Sequence, residues 1–275
     1  MSKQIDGIKK FTREESKQSS KDRAPIVSFV SGKGGTGKSV LILSIAASLA
    51  ASGKRVLLID CDTTFANLSI LCNYLPSITL ADFFDNTAEL EGITKELAPH
   101  LFFIPGSSGY RDYGEVTQYD LEKLFASVSN TDGYDIVLID TASGLQKQAV
   151  EILKNSAIAV LISGTEPTSL MDTYLVEKLI HQELLNLKRV VLINKASSDA
   201  AGKEAYENLN KPIMHFLGNP IALLGIVLLS SEISDSVMKQ HIAYSESAAN
   251  SVFRKRIDEM GKELYEYVSN IKESV

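Results

Sequence analysis

Residues 26–39 read Ile-Val-Ser-Phe-Val-Ser-Gly-Lys-Gly-Gly-Thr-Gly-Lys-Ser. A run of β-formers leads into a glycine-rich loop, and the loop opens the helical stretch SVLILSIAASLAASG. The octet 32–39 fits G-x-x-x-x-G-K-[ST] in the strand–loop–helix context that this pattern requires. Gly32, Gly34, Gly35 and Gly37 allow the backbone to wrap an anion, because glycine reaches φ > 0 and has no Cβ. Main-chain N–H groups of the loop and of the helix start then face a phosphate. Lys38 is placed for the β- and γ-phosphates, and the Ser39 hydroxyl for magnesium. With Thr36 and Val40, these residues form the expected binding stretch for ATP and Mg2+. A second lysine, Lys33, is not needed by a generic phosphate loop. Taken alone it reads equally well as a solvated side chain.

Outward from this loop, short β-rich runs alternate with helical segments. Strands are predicted at 26–31, 55–60, 101–104, 134–140, 157–163, 189–194 and 222–228. Most are continuously apolar, the mark of strands covered on both faces in a parallel sheet. Helices are predicted at 37–52, 121–129, 146–155, 169–187 and 201–216. Repeated β-α-β units imply an α/β, doubly wound, mostly parallel sheet with helices on both faces. In such sheets ligands sit beyond the carboxyl ends of the strands.

Carboxylates stand at those ends. VLLIDCD puts Asp60 and Asp62 just past the second predicted strand, and YDIVLIDTASG puts Asp140 at the end of another. A carboxylate beside a phosphate loop can hold the magnesium hydration shell, and a further one can orient water. Capping a following helix is the plainer alternative for each. Asp140, preceded by four apolar residues, is favoured for the metal shell. Asp62, farther out on its loop, is favoured for water.

The chain has 275 residues, enough for one large α/β domain, expected at 25–275. Cys61 and Cys72 have no nearby histidine cluster, so they read as free thiols of a reducing compartment. No run approaches the roughly 18 apolar residues of a membrane span, and residues 1–24 lack a secretion-signal core. A cytoplasmic protein is expected, with a peripheral place at the inner face of the membrane as the alternative. The net charge of -6 argues against a dedicated nucleic-acid binder. Residues 1–24 carry seven Lys/Arg and four Asp/Glu, about +3, and are expected to be mobile. Ile5, Ile8 and Phe11 have helical spacing there. Near the other end Ile257, Met260, Leu264, Tyr267 or Val268, and Ile271 form an amphipathic stripe. Residues 257–275 hold two Lys against five Asp/Glu, an acidic face that anionic lipid repels. The stripe is expected to pack on the domain or on a partner helix.

Lys33 to Ser39 resembles the deviant KGGxGK[ST] loop of the MinD/ParA ATPases. Further stretches resemble the FlhG/FleN (YlxH) branch of that group, the regulators of flagellar number and placement. They are LLIDCDTTFANLSIL at 57–71, LIDTASGL at 138–145, GTEPTSLMDTYLVEKLI at 164–180 and SDSVMKQHIAYSESAANS at 234–251. The resemblance implies that Lys33 reaches the partner's nucleotide across an ATP-dependent homodimer while Lys38 acts in cis. It implies Asp62 as the water-activating carboxylate, Asp60 as its magnesium-side neighbour and Asp140 as the Walker B group. It places Asn194 at the adenine. Residues 3–9 retain parts of the branch's short helix that stimulates the FlhF GTPase, so an FlhF-like GTPase is an implied partner. The chain departs from the branch at Thr64 (usually Gly), Ser69 (usually Asp) and Leu228 (usually Pro). The expectation is a slow, partner-stimulated switch ATPase. The alternative is a ParA-type partition ATPase that positions DNA or another cargo.

Overall fold

The computed structural model describes residues 23–62, 66–107, 116–131, 133–144 and 146–273, with side chains to 270. The strands are β1 (Ile26–Val30), β2 (Val56–Cys61), β3 (Lys95–Ala98), β4 (Leu101–Ile104), β5 (Ile136–Thr141), β6 (Ile158–Ser163), β7 (Lys188–Ala196) and β8 (Ala222–Leu228). The helices are α1 (Lys38–Ala51), α2 (Asn67–Leu71), α3 (Leu80–Phe84), α4 (Leu90–Ile93), α5 (Gln118–Asn130) and α6 (Lys147–Lys154). They continue with α7 (Pro167–Glu183), α8 (Asp199–Leu217), α9 (Ser231–Met238), α10 (Ala243–Glu246) and α11 (Val252–Glu273).

The strands form one eight-stranded sheet in the order β3-β4-β2-β5-β1-β6-β7-β8. Only the β3–β4 pair is antiparallel. β1 lies between β5 and β6. The chain builds outward from β1 first on one side and then, from β6, on the other. That reversal parts the loops at the carboxyl edge and opens a crevice beside the end of β1.

The central strands are buried throughout, so their apolar runs alternate between two covered faces rather than between core and water. Val27, Phe29, Val56 and Leu58 pack with α1, α10 and α11. Leu57 and Ile59 pack with α3, α4 and α5 on the opposite face, and Val30, Leu161 and Ile193 with α7 and α8. α1 is buried around nearly its whole circumference, from Leu41 to Ala50.

The predicted α/β fold and all seven predicted strands are present. β3 was not predicted. It is a short, exposed edge strand, Lys-Glu-Leu-Ala, without apolar alternation. The five predicted helices are present as well, but the short α2, α3, α4, α9 and α10 gave no periodic signal. The stripe of α11 is real and faces inward: Ile257, Met260, Leu264 and Val268 are buried against α1 and β8. Of the two alternatives at its end, Tyr267 is 40% exposed and Val268 closes the stripe. Gly225 of β8 makes room for it, because a Cβ there would strike Met260. The expectations for 1–22, including Ile5, Ile8 and Phe11, and for Thr64 and Ile271 lie outside the residues or side chains described.

Candidate nucleotide site

The loop between β1 and α1 lies at the carboxyl edge of the sheet, in the crevice opened by the reversal. Gly35 (φ 77) and Gly37 (φ 89) occupy the left-handed region, where a side chain is strained. Gly32 has a different reason: a Cβ there would lie 2.5 Å from the main-chain carbonyl of Asp172 in α7. α1 begins at Gly37 without a side-chain cap and without an acidic residue in its first turn. Its first N–H groups and the positive end of its dipole are therefore offered outward.

Lys38 is buried and donates to the Asp140 carboxylate and to the Thr141 carbonyl. Asp140 and Asp60 are register partners on β5 and β2. Burial pushes the Asp140 carboxyl up, opposed by the Lys38 charge and by hydrogen bonds from Lys38 and Ser39. Burial holds Asp60 well above the usual carboxylate range, and the neighbouring Asp140 adds to this. Asp60 uses both oxygens on main-chain amides: Oδ1 accepts from Asp62 N at 3.1 Å and Oδ2 from Leu68 N at 3.2 Å. It thus pins the ends of the loop that carries Asp62.

The loop walls a cavity of about 460 Å³ with Ser31, Lys33 to Ser39, Asp62, Asn67, Ile70, Leu71 and Ser143. The volume suits a small-molecule ligand. Asp62 faces this cavity, while Asp60 and Asp140 are not among its lining residues. Lys33, half-buried, donates to Thr168 Oγ1 at 3.1 Å. Thr168 belongs to the Glu-Pro-Thr-Ser run, whose order has a physical reason. Pro167 starts α7, and Ser169 Oγ accepts the Gly164 amide at 2.7 Å, tying β6 to the helix.

Asn194, at the end of β7, donates from Nδ2 to the Thr36 carbonyl at 2.7 Å. Leu228 is the register partner of Ala196. The Ser69 hydroxyl is buried and has no hydrogen-bond partner among the described residues. Sequence reasoning missed Thr168 and Lys195, whose Nζ donates to the Gly35 carbonyl at 2.6 Å. The only signal for Lys195 was its place after Asn194 at a strand end.

Among the described residues, no group of three His, Cys, Asp or Glu side chains forms a metal cage. The donors present are the Ser39 hydroxyl and, hydrogen-bonded to it, the Asp140 carboxylate. That set fits magnesium, which keeps several waters and is shared with phosphate oxygens.

Residues 27–243 match the CobQ/CobB/MinD/ParA nucleotide-binding domain. The chain belongs to this family. The family is one of nucleotide-binding ATPases, and the phosphate-loop fold is the one expected. The chain is 28% identical over 220 residues to the antiactivator FleN of Pseudomonas aeruginosa, covering 80% of this chain and 79% of that protein. It is 24% identical over 261 residues to the flagellum site-determining protein YlxH of Helicobacter pylori, covering 93% and 87%. The septum site-determining protein MinD of Pyrococcus horikoshii, solved with Mg-ADP, has the same fold: TM-score 0.73 at 24% identity, covering 90% of this chain and 98% of that one. A ParA-family ATPase from Chlorobium tepidum also superposes with TM-score 0.73, at 19% identity over 88% and 99%.

Proposed function

We propose that this family member is a dimerising switch ATPase of the FlhG/FleN kind that regulates flagellar number or placement. The observation that carries the reading is the pair of lysines on one loop, one buried against Asp140 and one half-buried and tied to a threonine hydroxyl of α7. The buried Lys38 sits where a bound nucleotide would draw it from Asp140 onto the phosphates. Lys33 gives up its bond to Thr168 to reach a second protomer. The glycines and the uncapped start of α1 bind the phosphate chain through main-chain amides. Ser39 and Asp140 would hold magnesium, which would supply charge neutralisation on the phosphates. Asp62 takes the proton of the attacking water, and Asp60 keeps the Asp62 loop in place. ATP thus bridges two copies, and hydrolysis releases them, because the ligand stabilises only the assembled state.

The flagellar part rests on the likeness to FleN and YlxH over most of the chain, and an FlhF-like GTPase is the partner it implies. A ParA-type role in partition needs a basic surface for DNA. Among the described residues the notable basic cluster, Arg254, Lys255 and Arg256, is partly engaged within the molecule. Arg254 lies over Tyr244 and donates to the Ser247 carbonyl at 3.2 Å. Arg256 donates to the Ile226 carbonyl at 2.7 Å and pairs with Asp199. No helix among the described residues is long and apolar enough to cross a membrane. The stripe of α11 from Ile257 to Val268 is buried within the molecule and so is not offered to lipid.

The test is light scattering of the purified chain with MgATP and with MgADP. A doubled mass with MgATP alone supports the switch, and equal masses refute it. A gel shift with ATP at two salt concentrations separates the partition reading, because phosphate contacts weaken steeply with salt.

A further inference from the structure

We propose that Lys195 is a positioning residue that presets the phosphate loop before a nucleotide arrives. The inference rests on reading 32–39 as the nucleotide loop and adds a residue from another strand to it.

The argument begins with a backbone irregularity. β7 and β8 lose register between Ile193 and Ala196. Within that slip Lys195 has φ 59, in the left-handed region that a residue with a Cβ disfavours. A bulge of this kind turns side chains away from the directions that regular pleating dictates. Asn194 and Lys195 both reach the same loop. Asn194 Nδ2 donates to the Thr36 carbonyl at 2.7 Å, and Lys195 Nζ to the Gly35 carbonyl at 2.6 Å. The lysine stem runs beside the loop, with Cε 3.9 Å from where a Gly37 Cβ would stand.

These two bonds solve a problem set by the loop itself. A loop that presents N–H groups to an anion must turn its carbonyls the other way. Gly35 and Gly37 are the residues least able to hold such a geometry by their own torsional preferences. The α1 start contributes no side-chain cap that would hold it. Donors from β7 fasten two consecutive carbonyls and leave the amides aimed at the cavity. The ordering cost of the loop is then met on folding rather than on binding. The strained backbone at Lys195 has a purpose on this account.

The test compares Lys195→Met, which keeps the stem and removes the ammonium, with Lys195→Arg, which keeps a donor. Isothermal titration is run with MgATP and with MgADP at two salt concentrations. Lys195→Met is expected to weaken both nucleotides by about tenfold, the scale of one charge-assisted hydrogen bond. The salt dependence should match the parent, and Lys195→Arg should recover most of the loss. In turnover the effect should fall on KM more than on kcat. Both affinities within twofold of the parent would overturn the brace. So would a loss confined to MgATP with a flatter salt dependence, which would make Lys195 a direct phosphate contact. A parent chain that binds neither nucleotide would instead refute the reading of the loop.

Discussion

The Lys33 ammonium donates to Thr168 Oγ1 of its own chain at 3.1 Å. The lysine that the family resemblance sends across a dimer is therefore held at home by the first turn of α7. Reaching a partner means giving up one modest hydrogen bond, worth about 1 kcal/mol net. Lys33→Ala is expected to keep MgATP binding and lose ATP-dependent dimerisation. Thr168→Val should do the reverse and lower the protein concentration at which MgATP gives the dimer. Light scattering across a dilution series reads both, and a Lys33→Ala chain that dimerises like the parent removes the role across the interface.

Asp62 faces the cavity while Asp60 anchors its loop. Asp62→Ala should lower steady-state turnover by about 100-fold, the low end of what a positioned general base contributes. It should also lengthen the lifetime of the MgATP dimer. A variant that hydrolyses at the parental rate would take Asp62 out of the chemistry.

Gly32 has no room for a side chain, because a Cβ would lie 2.5 Å from the Asp172 main chain. Backbone cannot yield as a side chain would, and overpacking of this kind costs roughly 1–3 kcal/mol. Gly32→Ala should weaken MgATP by at least about tenfold in calorimetry, while Gly92→Ala, with open space at its Cβ position, changes nothing there.

Arg256 holds Asp199 with two contacts of 2.8 Å, and this lowers the Asp199 carboxyl below its ordinary value. A depressed carboxylate stabilises the fold above its unfolded pKa, and that contribution is lost as pH falls through the folded value. The difference in urea midpoint between the parent and Asp199→Asn should therefore be present at pH 7 and shrink as pH falls below the ordinary carboxylate range. A difference that does not vary over that range would show that the pair adds no stability through its charge.

α11 is held by its inner stripe. Ile257→Ala should cost about 2–5 kcal/mol, the range for a large aliphatic lost from a packed core. Tyr267→Ala, on the outer side of the same helix, should cost much less. Urea unfolding compares them, and equal losses would mean that the helix does not dock as described.

Much of this was legible in the chain itself. The central strands announce themselves because burial on both faces demands uninterrupted apolar residues, as in residues 56–59 ahead of Asp60. β3 stays silent because an exposed edge demands nothing of its side chains. The phosphate loop is legible because its function is local: glycine torsions, amides and one lysine within eight consecutive residues.

What the sequence by itself determined is therefore the alternation of strands and helices, the loop at 32–39 and the carboxylates at strand ends. Tertiary structure alone decided which of these meet. Asp60 and Asp140 face each other because β2 pairs with β5, and Lys195 reaches Gly35 because a slip in β7 turns it there. The physical reason is that torsional preference and apolar periodicity act between near neighbours in the chain. The order of strands in a sheet depends on contacts among residues far apart in the chain, such as Asp60 with Asp140 and Val27 with Ile158.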